Sequence, residues 1–369
     1  MTLKKILICI YNLQGGGAER VLLNLLNLLD KNRFRITLLV LKKEGVYISK
    51  IPSHVNVIYG FKTFLGKKIC NRFLKILSSK MLHKIFIKQK FDFEISFLEG
   101  YSTKIISGSS FDSKKIAWVH ADFESYHWTK NIFSFDEEKS YYGKFNNIVC
   151  VSEKCLKSFK NIFGFEEKLK LIYNVLNKNL ENYDKIHFKN VFNHLKTPKI
   201  ICVGRLEKEK GVERLLKIFL EEIKNFNYEG SLIFLGEGSL KTPLKQLVEE
   251  NYLGENVKFI NFKENVEDYI LSSDYVIVPS YSESFCLVLS ESICLGKICI
   301  STDNGGGTEI LKNGECGLVV ENSDEGIREA IVRVLSGENL KEVYEKNLHS
   351  WAMNFKSEVI LKKIHELLT

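Results

Sequence analysis

Short apolar runs followed by small or charged residues, and then by leucines at helical spacing, recur along the chain. Residues 6–10 and 35–41 read as buried strands. Phe93, Ile95 and Phe97 alternate in a third, and 116–119 and 148–151 continue the series. Leucines at helical spacing in 19–30 mark a helix after the first strand. The same order restarts with strands at 200–203, 231–235, 257–260, 275–278 and 298–301. Helices are expected at 211–222, 240–250 and 287–294. Strand, turn and helix in this order predict a parallel sheet covered by helices on both faces, built twice. A polar stretch over 177–199 separates the halves and reads as a linker.

Length agrees with this division. A chain of 369 residues suggests two domains. A hydrophobic fraction of 45% against 27% charged residues excludes a mostly disordered chain. With 24 glycines and 4 prolines it is neither collagen-like nor of low complexity. No apolar run approaches the ~18–20 residues that span a bilayer. The run at 6–10 is too short for a signal peptide and fits a first strand.

Nine cysteines, an odd number with no C-x-x-C, imply a reducing, intracellular setting and no disulfide framework. The eight histidines lack metal-ligand spacing. Net charge is uneven: +15 over residues 1–190 and −7 over 191–369. A positive half suits an anionic membrane, a nucleic acid or a phosphorylated ligand; biased surface composition gives the same count.

Four motifs could carry chemistry. Gln14-Gly15-Gly16-Gly17-Ala18-Glu19-Arg20 lies between the first strand and its helix. Its glycines allow close backbone approach, and a helix N-terminus attracts anions. It is neither a P-loop nor G-x-G-x-x-G, and a plain tight turn would look alike. Gly204-Arg205-Leu206-Glu207-Lys208-Glu209-Lys210-Gly211 puts two cations after a strand, where α/β sheets bind ligands. Arg205 and Lys210 suit a diphosphate, although a solvated charged loop would read the same. Glu283-Ser284-Phe285-Cys286-Leu287 leads into the helix that holds Glu291, so two carboxylates flank a helix N-terminus. Gly305-Gly306-Gly307-Thr308-Glu309 is a further glycine loop after the next strand.

Taken in order and spacing, these motifs resemble those of family 4 retaining glycosyltransferases of the GT-B fold and surface-polysaccharide type. Trp118-Val119-His120 and Ile172-Tyr173-Asn174 fit the same family. The resemblance implies two Rossmann-like domains facing across a cleft. An acceptor-side domain would span 1–178 and a nucleotide-sugar donor domain 195–350, with a C-terminal helix in 351–369 packing back on the first domain.

The resemblance also implies roles. Arg205 and Lys210 would neutralise a diphosphate leaving group, and Glu291 would accept hydrogen bonds from ribose hydroxyls. Glu283 would contact the transferred sugar, and His120 a sugar hydroxyl. Gly16 and Gly17 would allow closure over the donor. Ser284, Phe285, Cys286 and Leu287 would line the donor site, and His127 and Trp128 could line the acceptor site or belong to the fold. The usual E-G-F-G-L is altered, because Ser284 and Cys286 replace glycines; Cys286 reads as packing. D-x-D is absent from the sequence, so a metal-free donor site is expected, with no cofactor.

Residues 51–91 hold nine Lys/Arg and no acid, interleaved with apolar residues and broken at Ser78-Ser79. Over 80–90, helical spacing groups Met81, Leu82, Ile85 and Phe86 on one face and Lys80, Lys84 and Lys88 on another. This reads as a membrane-surface segment, 62–90; a core-packed helix with solvated lysines is the alternative. Nucleic acid fits poorly, since few aromatics are placed for stacking. The expectation is a cytoplasmic hexosyltransferase, peripheral at the inner face of the membrane. It would use a nucleotide sugar, UDP-linked, and a lipid-linked saccharide acceptor. Alternatives are a non-catalytic nucleotide-binding GT-B protein and an NAD-dependent oxidoreductase, for which Gly236-Glu237-Gly238 is the nearest fingerprint.

Overall fold

The computed structural model describes residues 3–61, 67–177, 180 and 188–369. It divides into two compact units, one running to Val175 and including Ile360–Thr369, the other Leu176–Val359. Lys62, Phe64, Leu65 and much of the linker fall outside the described residues.

The first unit carries β1 (Lys4–Ile10), α1 (Gly17–Leu28), β2 (Phe34–Lys42) and β3 (Asn56–Phe61). These are followed by α2 (Lys67–Ile76), α3 (Ser79–Phe86), β4 (Phe93–Phe97), α4 (Tyr101–Ser107) and β5 (Lys114–Val119). Then come α5 (Phe135–Tyr142), β6 (Asn147–Cys150), α6 (Glu153–Phe163) and β7 (Leu169–Leu171). The sheet order is β3-β2-β1-β4-β5-β6-β7, and every pair is parallel. Strand β1 is an interior strand with residues 6–10 fully buried, which is why 6–10 is an unbroken apolar run.

The second unit carries β8 (Lys199–Val203), α7 (Val212–Phe226), β9 (Ser231–Leu235), α8 (Lys241–Glu250) and β10 (Val257–Ile260). It continues with α9 (Glu267–Leu271), β11 (Tyr275–Val278), α10 (Leu287–Cys294), β12 (Ile298–Thr302) and α11 (Gly306–Ile310). It closes with β13 (Leu318–Val320), α12 (Asp324–Leu335), α13 (Leu340–Ala352) and α14 (Ser357–Leu367). The parallel order is β10-β9-β8-β11-β12-β13, so the winding reverses between β8 and β11. Those two strands are in register only at Ile200–Tyr275 and Ile201–Val276. Their carboxyl ends part beyond that point, which opens the crevice where doubly wound sheets bind ligands.

From Ile360 onward helix α14 belongs to the first unit. Ile360, Ile364 and Leu368 recur every four residues and are buried. The Lys4 ammonium donates to the carbonyl of Thr369 at 2.9 Å and to that of Leu368 at 3.4 Å. Trp351 to Val359 belong instead to the second unit, where the Trp351 indole donates to the Ile310 carbonyl at 2.8 Å.

The basic segment forms α2 and α3, split at Ser78, which caps α3 by accepting from the Met81 amide at 3.3 Å. The apolar arc of α3 is only half buried. Leu82 and Phe86 are buried, whereas Met81 and Ile85 are 52% and 41% exposed, as Ile69 and Ile76 on α2 are exposed. Periodicity put all four on one arc; the polar anchor selects which of them turns inward. That anchor is His83, whose Nε2 pairs with Glu94 Oε2 at 2.7 Å, both side chains being buried. Ser109 and Ser113 donate to Glu94 Oε1 at 2.8 and 2.9 Å.

Removing one member of a buried pair strands the other. Glu94→Ala should therefore destabilise the protein by about 3–5 kcal/mol, read from urea unfolding midpoints. A loss under about 1 kcal/mol, the level of an exposed pair, would show that the anchor does not hold α3.

Candidate donor site

The loops after β8, β11, β12 and β13 leave the same edge of the second sheet. Gly211 brings the first two together. It has φ +65, and a Cβ there would lie 2.0 Å from the Pro279 carbonyl oxygen, so only glycine allows the contact. Lys210, one residue earlier, donates from Nζ to Glu283 Oε1 at 2.7 Å. The Ser280 hydroxyl donates to the same oxygen at 2.7 Å. The backbone of Glu283 is fixed as well: its amide donates to the Asn304 carbonyl at 3.0 Å, and its carbonyl accepts from the Gly306 amide at 2.9 Å.

Arg205 stands apart from this couple. It is 66% exposed and pairs with Glu209 at 2.8 Å. An exposed pair contributes about 0–1 kcal/mol, so Glu209 holds Arg205 only weakly. Glu291 lies inside α10, buried. Cys286 caps α10, and its burial pushes the thiol far above the ordinary range. It is packing and no nucleophile. Neither Ser284 nor Cys286 takes a positive φ, so the exchanged glycines leave no backbone strain. Among the described residues no group of three or more His, Cys, Asp or Glu could hold a metal ion.

The near-fingerprint Gly236-Glu237-Gly238 has a packing explanation. A Cβ on Gly236 would stand 1.8 Å from the Gly204 carbonyl oxygen. The Leu206 amide donates to the Glu237 carbonyl at 2.8 Å. These glycines fit two loops together.

In the first unit, Gly16 caps α1 and Gly17 opens it. The amides of Gly15 and Gly16 donate to Glu19 Oε2 at 2.5 and 3.0 Å, so the glycine turn carries its own carboxylate. His120 follows β5 and packs on Phe97 with ring centroids 5.0 Å apart. Its Nε2 is enclosed and has no hydrogen-bond partner among the described residues. Burial lowers its pKa to about 3, so the ring is a neutral hydrogen-bonding group at neutral pH. His127 belongs to the fold: its side chain is buried, paired with Glu138 at 2.9 Å.

Sequence reasoning missed Glu99, whose buried carboxylate accepts from the amides of His120 and Ala121 at 2.5 and 2.8 Å and so sets the His120 backbone. Burial raises its pKa and these amides oppose the shift. It also missed Arg214, which lies one turn before the buried Ile218.

Two family models match, Glycosyltransferase Family 4 over residues 15–180 and Glycosyl transferases group 1 over 183–351. The chain belongs to glycosyltransferase family 4. A relative of this transferase, 26% identical over 96% of each chain, is the Campylobacter jejuni N-acetylgalactosamine-N,N'-diacetylbacillosaminyl-diphospho-undecaprenol 4-alpha-N-acetylgalactosaminyltransferase. Another, 27% identical over 95% of this chain and 94% of its own, is an alpha-1,4-N-acetyl-D-galactosaminyltransferase of the same organism acting on a PP-undecaprenol-linked saccharide.

Among solved structures, Anabaena HepE in complex with UDP-glucose is similar with a TM-score of 0.75 at 18% identity over 99% of both chains. Sucrose-phosphate synthase from Thermosynechococcus elongatus reaches 0.77 at 18% identity over 99% of this chain and 98% of its own. The shared fold is GT-B, two Rossmann-like domains.

The neutral state of His120 gives a test of its surroundings. An unfolded histidine titrates near 6.5, so below that pH the unfolded chain binds a proton that folded His120, at about 3, refuses. Its contribution to stability is whole above pH 6.5 and is lost as pH falls from 6.5 toward 3. His120→Gln should flatten the pH dependence of urea midpoints between pH 6.5 and 4 by about one proton's slope. An unchanged slope would mean that His120 protonates freely in the folded state.

Proposed function

We propose that this transferase is a retaining enzyme that moves a hexose from a UDP-sugar to a lipid-linked saccharide during surface polysaccharide assembly. The observation that carries the reading is the Lys210–Glu283 couple together with the exposed Arg205 of the same loop, at the carboxyl ends of a parallel sheet. Cations placed where charge develops on a leaving diphosphate stabilise the transition state. Arg205 and Lys210 take that role without a metal or other cofactor, and Glu283 meets the transferred sugar. Glu291 accepts from the ribose, His120 from or to a sugar hydroxyl, and the backbone of 284–287 lines the pocket. The Campylobacter relatives, named as N-acetylgalactosaminyltransferases, make an N-acetylhexosamine the first donor to try.

The acceptor belongs to the first unit in this reading. A cavity of about 420 Å³ there is lined by Arg72, Lys75, Asn71, Asn131 and Tyr101, a set suited to phosphate and sugar hydroxyls. No helix among the described residues is long and apolar enough to cross a membrane. Exposed Ile69, Ile76, Met81 and Ile85 stand among the cations of α2 and α3, and apolar residues so interleaved support docking on an anionic leaflet.

Melting with UDP-N-acetylgalactosamine, UDP-N-acetylglucosamine, UDP-glucose and NAD identifies the donor, since a ligand at 100 times its Kd stabilises by about 2.7 kcal/mol. With that donor, Arg205→Ala or Lys210→Ala should lower transfer at least tenfold, and EDTA should leave the wild type active. Near-wild-type turnover removes the two residues from the phosphate site, loss of activity in EDTA overturns the metal-free reading, and donor binding without any transfer favours a non-catalytic protein.

Each cation near an anionic leaflet contributes about 1 kcal/mol. Replacing Lys80, Lys84 and Lys88 together by Glu should weaken co-sedimentation with phosphatidylglycerol vesicles at least tenfold. Unchanged binding would make α3 an ordinary solvated helix.

A further inference from the structure

Arg214 is a buried arginine with no ion pair among the described residues. Burial of a guanidinium is costly unless its donors are satisfied. Here every acceptor it meets belongs to the loops of the candidate donor site or to the residue that ties them. Its Nε and Nη2 donate to the Pro279 carbonyl at 3.2 and 2.6 Å, and Nη2 also donates to Asn322 Oδ1 at 2.6 Å. Its face lies on the Tyr281 ring, 3.9 Å from the centroid. Asn322 extends the connection: its Nδ2 donates to the Tyr281 carbonyl at 2.8 Å and to the Asp303 carbonyl at 3.2 Å.

Two side chains therefore join the ends of four segments. These are the first turn of α7, the exit of β11 at Pro279 to Tyr281, the exit of β12 at Asp303, and the turn after β13 at Asn322. The Pro279 carbonyl that Arg214 grips is the one against which Gly211 rests. The Tyr281 amide donates to the Glu209 carbonyl at 3.1 Å. The clamp thus sets the spacing between the loop that bears Lys210 and the loop that bears Glu283, yet neither Arg214 nor Asn322 makes a hydrogen bond to the Lys210 or Glu283 side chain among the described residues.

We infer that Arg214 and Asn322 are positioning residues for sugar transfer, a clamp that holds Lys210 and Glu283 at their working separation. The inference rests on reading this site as the donor site. Lysine in place of Arg214 keeps the charge and loses the fork. Aspartate in place of Asn322 keeps an acceptor for Arg214 and turns oxygen toward two carbonyls that need a donor. Misplacing a reacting group by about 1 Å costs about 10²-fold in rate, while binding to the rest of the nucleotide persists.

The test uses Arg214→Lys and Asn322→Asp in the full chain, with UDP-N-acetylgalactosamine as donor probe and amide hydrogen exchange followed by mass spectrometry and NMR. The amides of Tyr281, Glu283 and Gly306 should exchange at least tenfold faster, with the protection of α7 and α12 retained. kcat should fall at least tenfold and the donor KM change less than threefold. Exchange within twofold of wild type in both variants overturns the clamp. So does faster exchange with kcat intact, or a rise in KM alone. Loss of protection throughout the second unit in both variants reduces the two residues to fold stabilisers and also overturns it. If wild-type protein neither binds nor turns over any UDP-sugar, the functional reading fails, and the exchange data alone decide whether the clamp exists.

Discussion

The second unit's site depends on one contact, the Lys210 ammonium against the Glu283 carboxylate at 2.7 Å. Both side chains are largely withdrawn from water, at 26% and 13% exposure, so each needs the other to offset desolvation. The contact requires two loops from different strands to stand at a fixed distance. Gly211 against the Pro279 carbonyl supplies the approach, and Glu283 backbone bonds to Asn304 and Gly306 hold the far side. A side chain at Gly211 would push the loops apart and leave a partly buried charge without its partner.

Much of this was legible in the sequence because it is local. A glycine after a strand, a cation before a glycine, or a glutamate before a helix each leaves a mark within a few residues. Arg214 left none, since its acceptors lie 65 and 108 residues away, and helix periodicity shows only that it shares a face with Ile218. Glu99 was hidden for the same reason: it serves amides 21 and 22 residues on. The strands of both sheet centres were read to within a residue or two, because a strand covered on two faces is apolar throughout. The outer strands β3 and β7 are partly exposed and lack that signature, and β13, although it reads Leu318-Val319-Val320, is only three residues long.

Helix α3 shows a different limit. Met81, Leu82, Ile85 and Phe86 fall on one arc by spacing, yet only Leu82 and Phe86 are buried. A short helix packs a narrow stripe, and its rotation is chosen by the strongest polar anchor on hand. Here that is His83 reaching Glu94, eleven residues further along the chain and invisible to any periodicity count.

The uneven charge of the chain can now be divided by mechanism. In the acidic half both candidate phosphate-binding cations already face a carboxylate, Glu209 for Arg205 and Glu283 for Lys210. Their long-range fields are therefore nearly cancelled, and a donor on the proposed reading gains little from steering across solvent. It must instead exchange places with a carboxylate at contact distance, and the exposed Arg205–Glu209 pair yields first because it has least to lose. The basic half is the reverse. Arg72, Lys75, Lys80 and Lys84 are exposed and run without an acid through 51–91, so their fields add. A sheet of lipid headgroups can respond to summed charge over a wide area, whereas a single nucleotide needs placed partners. The two anionic substrates of the proposed reaction would thus be met by different physics, contact exchange in one unit and accumulated charge in the other.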